Sequence, residues 1–213
     1  MLKTIVCLLL IGFCLLIETG EADAQPSERK FEVGGVFTSI TLKDFKARTL
    51  PGIATGDATV NGLGGRLAYN FTDNIALDAE ANFFPETHLG NEEFGQKMQG
   101  FIGVKAGVRN KWVGAFAKAR PGVMWFGDFS SRGTCTEFTF GSSCTVSHEN
   151  DFAMDLGGVV EFYPFERAII RADVGDTIIR YQQHTYGLFN NPSVLPAATK
   201  NNFQVSVGFG WRF

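Results

Sequence analysis

The sequence predicts an all-β chain that folds as an eight-stranded, antiparallel, up-and-down transmembrane β-barrel. Three observations predict it. Apolar and polar residues alternate through eight separate segments, the period of a strand with two unlike faces. The connections between these segments are short and long in strict turn. The polar face of the strands carries nearly balanced charges of both signs.

The chain begins with "MLKTIVCLLLIGFCLLIETGEADA". Lys3 precedes an apolar run from Thr4 to Ile17, and a polar stretch ends on Ala22-Asp23-Ala24. This is the three-part pattern of a secretory signal peptide over residues 1–24, cleaved before Gln25. The alternative, an N-terminal anchor, needs a run of about 20 apolar residues, and this one is shorter. The barrel domain is then 25–213. Cleavage removes Lys3 against Glu18, Glu21 and Asp23, which brings a formal net charge of −3 close to neutral. A near-neutral chain has no polyelectrolyte surface for nucleic acid.

The strands follow in order. "FEVGGVFTSITL" (31–42) is first. "GLGGRLAYNF" (62–71) sets Leu63, Leu67, Tyr69 and Phe71 against Arg66 and Asn70. "IALDAEANF" (75–83) sets Ile75, Leu77 and Phe83 against Asp78, Glu80 and Asn82. "MQGFIGVKAGVR" (98–109) sets Ile102, Val104 and Val108 against Lys105 and Arg109. "VGAFAKARPGVMWF" (113–126) sets Val113, Val123 and Trp125 against Lys118 and Arg120. "FAMDLGGVVEFY" (152–163) sets Phe152, Leu156, Val160 and Phe162 against Asp155 and Glu161. "RAIIRADVGDTIIRY" (167–181) sets Ile170 and Val174 against Arg171 and Asp173, and its phase slip near Gly175 predicts a bulge. "NNFQVSVGFGWRF" (201–213) closes the list, with Phe203, Val205, Val207, Phe209, Trp211 and Phe213 on one face and Arg212 on the other.

Only "TDN", "NKW" and "PFE" separate strands two and three, four and five, and six and seven. The other connections, 43–61, 85–97, 127–151 and 182–201, are long. A barrel that crosses a membrane sorts its connections this way, with short turns on one rim and long loops on the other. A soluble meander has no reason to.

Alternation alone leaves open which face is outside, because a soluble lipocalin-like barrel would put the apolar face around a cavity. The charges argue for the opposite. Glu32, Asp78, Glu80, Asp155, Glu161 and Asp173 face Arg66, Lys105, Arg109, Lys118, Arg120, Arg171 and Arg212. Such a set neutralises itself inside an eight-stranded barrel, which side chains can fill. Aromatics fall near both strand ends: Tyr69, Phe71, Trp112, Phe162, Tyr163, Trp211 and Phe213 at the short-turn rim, and Phe83, Phe84, Trp125, Phe126, Phe129, Tyr181 and Phe203 at the long-loop rim. Two aromatic girdles around an aliphatic band suit a lipid-facing wall. The segments also match the roughly 9–11 tilted residues that cross a bilayer.

These features together resemble the family of small eight-stranded outer-membrane barrels, the OmpA-like transmembrane domain and OmpX-type proteins, over essentially all of 25–213. The signal peptide, the glycine-bearing first strand, the loop asymmetry and the terminal "VSVGFGWRF" carry the resemblance. It implies a location in the outer membrane of a Gram-negative bacterium, among outer-membrane lipid and lipopolysaccharide. It also implies that Phe209, Trp211 and Phe213 form the signal read by the barrel-assembly machinery. The resemblance does not extend to the peptidoglycan-binding domain of the larger OmpA proteins, so a tether to the cell wall is not implied.

Chemistry is sparse. Cys135 and Cys144 remain after the leader is removed, and an even count in an exported chain favours a disulfide. The alternative is half of a zinc site, with only His148 nearby. His88, His148 and His184 fall in different long loops; they could meet above the barrel around a metal, but the expectation is scattered loop residues. Some small barrels of this kind act on lipid A or phospholipid with a Ser–His–acid arrangement near the rim, and the lipid A deacylases in particular carry a His-x-Ser pair on a late strand. Here Ser147-His148-Glu149 and His184-Thr185 do not show that pair. The expectation is a monomer without catalysis, cofactor or metal. Its function then lies in long extracellular loops that meet an unidentified ligand, in adhesion, protection or membrane support. A small-solute channel and a lipid-modifying enzyme are the alternatives.

Overall fold

A computed structural model describes residues 30–45, 56–89, 92–127, 129–131, 144–146, 149–186 and 193–213. In chain order the strands are β1 (Phe31–Leu42), β2 (Ala58–Asn70), β3 (Ile75–Phe84), β4 (Thr87–Leu89), β5 (Glu92–Phe94), β6 (Lys97–Arg109), β7 (Val113–Phe126), β8 (Phe129–Ser131), β9 (Cys144–Val146), β10 (Glu149–Phe162), β11 (Ala168–Tyr181), β12 (His184–Tyr186), β13 (Ser193–Leu195) and β14 (Ala198–Arg212). The long ones close into a barrel in the order β1-β14-β11-β10-β7-β6-β3-β2, each hydrogen-bonded to its neighbours. Every pairing is antiparallel.

The ends of the chain make the seam. Phe213 N donates to Phe31 O at 2.8 Å and Phe31 N donates to Phe213 O at 3.3 Å. Closure removes both edges, so the first and last strands pair with each other rather than with water. The register also sets the tilt. From Thr41 the paired residues run through Phe203, Asp176, Leu156, Ala119, Val104, Leu77 and Tyr69, and the circuit returns to β1 at Phe31. A circuit that comes back lower on its own strand means strands inclined to the barrel axis.

The strands reach further into the long connections than the sequence suggested. β2 begins at Ala58, β10 at Glu149 and β14 at Ala198. Beyond them β4, β5, β8 and β9 form one four-stranded sheet, and β12 pairs with β13. The expected bulge at Gly175 is not there. Gly157 pairs with Gly175 and Gly175 with Gln204, in unbroken register. One local break does occur: Pro121 faces outward in β7, and the β6–β7 pairing skips from Phe101–Gly122 to Val104–Ala119. Proline has no N–H to give the ladder.

The inward side chains form two tiers. Toward the short turns they are charged and polar. Toward the long loops an apolar cluster stands among them: Ile40, Leu42, Val60, Phe84, Phe101, Met124, Phe126, Ile179 and Tyr181 are all buried with Phe45 packed against them, beside buried Lys97, Gln99, Asp151, Thr177 and Asn202. Four aromatics expected in the girdles, Phe84, Phe126, Tyr163 and Tyr181, are therefore buried instead. Tyr163 caps the charged tier at the short-turn end. Outward residues are large and exposed, including Leu63, Leu67, Ile102, Val207, Phe209 and Trp211.

Candidate functional site

The charged tier is built by parity. Strand residues two apart share a face, so one inward position brings its whole polar set into the lumen. Glu32 comes from β1; Arg66 from β2; Asp78 and Glu80 from β3; Lys105 and Arg109 from β6. Lys118 and Arg120 come from β7; Asp155 and Glu161 from β10; Arg171 and Asp173 from β11; Arg212 from β14. The structure brings all thirteen to the inside, most of them almost fully buried.

Two clusters result. In the central one, Arg120 Nη1 lies 2.9 Å from both Asp78 Oδ2 and Glu80 Oε2, and its Nε donates to Asp155 Oδ2 at 2.8 Å. Arg120 Nη2 also meets Asp155. Arg171 donates to both oxygens of Asp78 and, through Nη2, to Asp173 at 2.8 Å. Lys118 reaches Asp155 at 2.9 Å and Asp173 at 3.4 Å. Buried Arg66 lies against the wall, where a Cβ on Gly210 would sit 3.5 Å from its Nη2.

The second cluster sits by the short turns. Lys105 Nζ lies 2.5 Å from Glu161 Oε1 and 3.3 Å from Glu32 Oε2. Arg212 Nη2 donates to Glu32 Oε1 at 2.9 Å, as does Asn70 Nδ2 at 2.8 Å. The Tyr163 hydroxyl donates to Glu161 at 2.7 Å, and the Arg109 and Arg212 guanidinium groups lie over its ring at 5.4 and 4.8 Å. Burying one of these charges alone would cost several kcal/mol. Together they offset most of that cost, although among the described residues Arg109 Nε and Nη1 and Asp155 Oδ1 stay buried without a hydrogen-bond partner.

Sequence reading put Asn82, Gln204 and Ser206 on the polar face without assigning them a role, and it missed Thr38 and Gln99 as inward polar partners. Asn82 donates to Glu80, Thr38 lies 2.9 Å from Ser206, and Gln99 donates to Gln204. Their inward parity was the available signal. It also missed Lys97 and Asp151, both buried near the long-loop rim. Lys97 Nζ donates to Gly95 O at 2.8 Å and lies 5.3 Å from the centre of the Phe45 ring.

The loop candidates are less connected. Cys144 lies in β9, paired with Ser131, and Cys135 lies outside the described residues. His88 belongs to β4 and His184, followed by Thr185, to β12, in separate sheets. Ser147 and His148 lie outside the described residues, and Glu149 opens β10. Outward at the seam stand Phe209, Trp211 and Phe213, all exposed. At the long-loop rim Lys43 Nζ donates to Asp57 Oδ2 at 2.5 Å and Lys200 Nζ to Asp44 Oδ2 at 2.6 Å. The Lys43 hydrogen bond and charge hold the Asp57 carboxyl below its usual range, and the same bond raises the Lys43 ammonium.

A buried charge network and a buried apolar cluster occupy this lumen, and among the described residues no group of His, Cys, Asp and Glu is placed to hold a metal ion. Solved structures share the architecture. Neisserial surface protein A (NspA) is 11% identical, with a TM-score of 0.56, over 86% of this chain and 97% of that one. The attachment invasion locus protein Ail of Yersinia pestis is 16% identical, with a TM-score of 0.49, over 86% and 97%. No curated protein sequence matches the chain. The model of the outer membrane protein beta-barrel domain matches residues 5–213, and the chain belongs to that family.

Proposed function

We propose that this protein is a non-catalytic barrel of the Gram-negative outer membrane that presents long loops to the cell exterior. Residues 1–24 act as its export signal, and the Cys135–Cys144 pair staples the third long loop. It works as a monomer among outer-membrane lipid and lipopolysaccharide, inserted by the barrel-assembly machinery. Its role is contact between the cell surface and a loop ligand, or support of the membrane itself.

The buried charge network carries this reading: charged side chains from seven strands pair across the lumen, below a buried apolar cluster. With the lumen filled, variation in function falls to the loops. Single-channel recording in planar bilayers tests it: the expected trace is silent, and steady openings would favour a small-solute channel. Mass spectrometry of lipid A from overexpressing cells tests the absence of catalysis. An acyl chain gained or lost, and restored by His148→Ala or His184→Ala, would show an enzyme.

A further inference from the structure

The lipid-facing wall is uneven. On β7 every outward residue from Val113 to Trp125 is apolar, and β3 and β6 stay apolar to their last outward residues, Phe83 and Met98. On β1 the apolar run covers only Phe31–Phe37, and Ser39 and Thr41 follow. On β2 it stops at Leu63, with Asn61 and Thr59 beyond; on β11 it stops at Val174, followed by Asp176, Ile178 and Arg180. β14, between them, ends with Asn201 and Thr199 above Phe203. At about 3.3 Å per residue and a tilt of roughly 35–45°, the β7 run spans about 30 Å of the membrane normal and the β1 run about 15 Å. A typical apolar band is about 25 Å tall.

The four strands with a polar upper wall are neighbours, β2-β1-β14-β11. Their outward Asn61, Thr59, Asn201, Asp176 and Arg180 are exposed, and Thr41 and Thr59 hydroxyls lie 3.0 Å apart. At the same rim are the Lys43–Asp57 and Lys200–Asp44 pairs, Lys200 lying between Thr199 and Asn201 on β14. Hydrocarbon offers these groups nothing.

We propose that this face seats the phosphorylated saccharide headgroup of an outer-leaflet lipopolysaccharide, drawn closer to the membrane centre than the headgroups along β6 and β7. Arg180 takes the phosphate, for which a guanidinium is suited. The amides and hydroxyls of Asn61, Asn201, Thr41 and Thr59 take sugar hydroxyls, and Asp176, deeper, accepts from hydroxyl donors. A second copy of the chain is the competing occupant, and the dipolar readout below detects it. The inference rests on the outer-membrane reading above.

Nitroxide labels at Asn61→Cys and, on the opposite wall, Val123→Cys test it, with Cys135 and Cys144 changed to serine. Heat-modifiable migration first shows that each labelled barrel is folded, so a failure of the barrel reading is seen separately. In phosphatidylcholine vesicles the Asn61 label should collide more with a water-soluble nickel chelate than with oxygen, and the Val123 label the reverse. Adding lipopolysaccharide should cut nickel access at Asn61 only. Arg180→Ala with Asn201→Leu, or Arg180→Ala alone if the pair does not fold, should abolish that cut. Oxygen-dominated collisions at Asn61 overturn the proposal. So does nickel access indifferent to lipopolysaccharide, a cut that survives the variants, or dipolar broadening from a second copy.

Discussion

Arg171 spans the barrel to Asp78, with Nη1 3.1 Å from Oδ1 and Nη2 2.8 Å from Oδ2, and their strands β11 and β3 stand opposite each other in the ring. A two-toothed bond across the lumen fixes the separation of opposite walls, where neighbour-to-neighbour bonds fix only local register.

Removing one end leaves a buried charge unmatched. Asp78→Ala should lower the unfolding free energy by about 3–5 kcal/mol. Arg171→Met added to it should recover part of the loss, since the pair costs desolvation that an apolar side chain does not. Urea unfolding in vesicles, read by tryptophan fluorescence, measures both. A near-wild-type midpoint for Asp78→Ala would show that the span carries no stability.

The apolar tier predicts a different response. Phe84 is fully buried in it, and Phe84→Ala should cost about 3–5 kcal/mol through lost burial and the cavity left behind. The same variant should stay silent in planar bilayers, because the charged tier below still fills the lumen. Openings from this single change would mean that the apolar tier alone closes the barrel.

The barrel was legible because a strand's period is two and the charges on one parity balance. The upper tier was not, for a physical reason. Sequence reading sorted residues by type, while the wall sorts them by parity. Ile179 and Tyr181 share inward parity with Arg171 and Asp173, and Arg180 shares outward parity with Val174. The apparent slip at Gly175 is thus a change of surroundings, as the inside turns apolar and the outside turns polar. Phe84 and Phe126 went to the girdles for the same cause. The charged cluster was readable as a set, but its partners across the lumen depend on register and shear, which no single strand reveals.

Gly103 sits inward on β6, at the gap left by Pro121. A Cβ there would lie 2.2 Å from Ala119 O and 2.6 Å from Arg120 Cα. Both are backbone atoms and cannot swing aside. Gly103→Ala should therefore destabilise by about 1–3 kcal/mol, the usual cost of overpacking. Gly35→Ala is the control: its Cβ would meet only Gly64 O, at 4.0 Å. Equal urea midpoints for the two variants would contradict the close approach.

Phe213 separates two roles of the chain end. Its backbone makes two bonds to Phe31, worth about 1 kcal/mol each. Deleting Phe213 should then weaken the refolded barrel only modestly in vesicles. In cells it should sharply reduce the heat-modifiable band, if the exposed terminal aromatic is what the assembly machinery reads. An equal loss in both settings would assign the residue to stability alone.

The base of the first long loop should respond to pH. Lys43 and Asp57 bond across it, and the Asp44 N–H donates to Asp57 Oδ1 at 3.1 Å. The Asp57 carboxyl lies below its usual range, so its contribution is complete above the ordinary carboxylate pKa, about 3.9, and is lost as pH falls through the lower folded value. The Lys43 ammonium is raised, so its share is complete below the ordinary lysine pKa, about 10.4, and is lost as pH rises through the folded value. Between those limits the loop base is closed. The Asp57 carboxyl carbon, followed by NMR, should titrate below the ordinary midpoint, and Lys43→Met should move it part of the way back, because the Asp44 N–H and the Lys200 charge still lower it. High salt should shrink the shift, because the pair is exposed. A titration unchanged by Lys43→Met would show that the lysine does not set it.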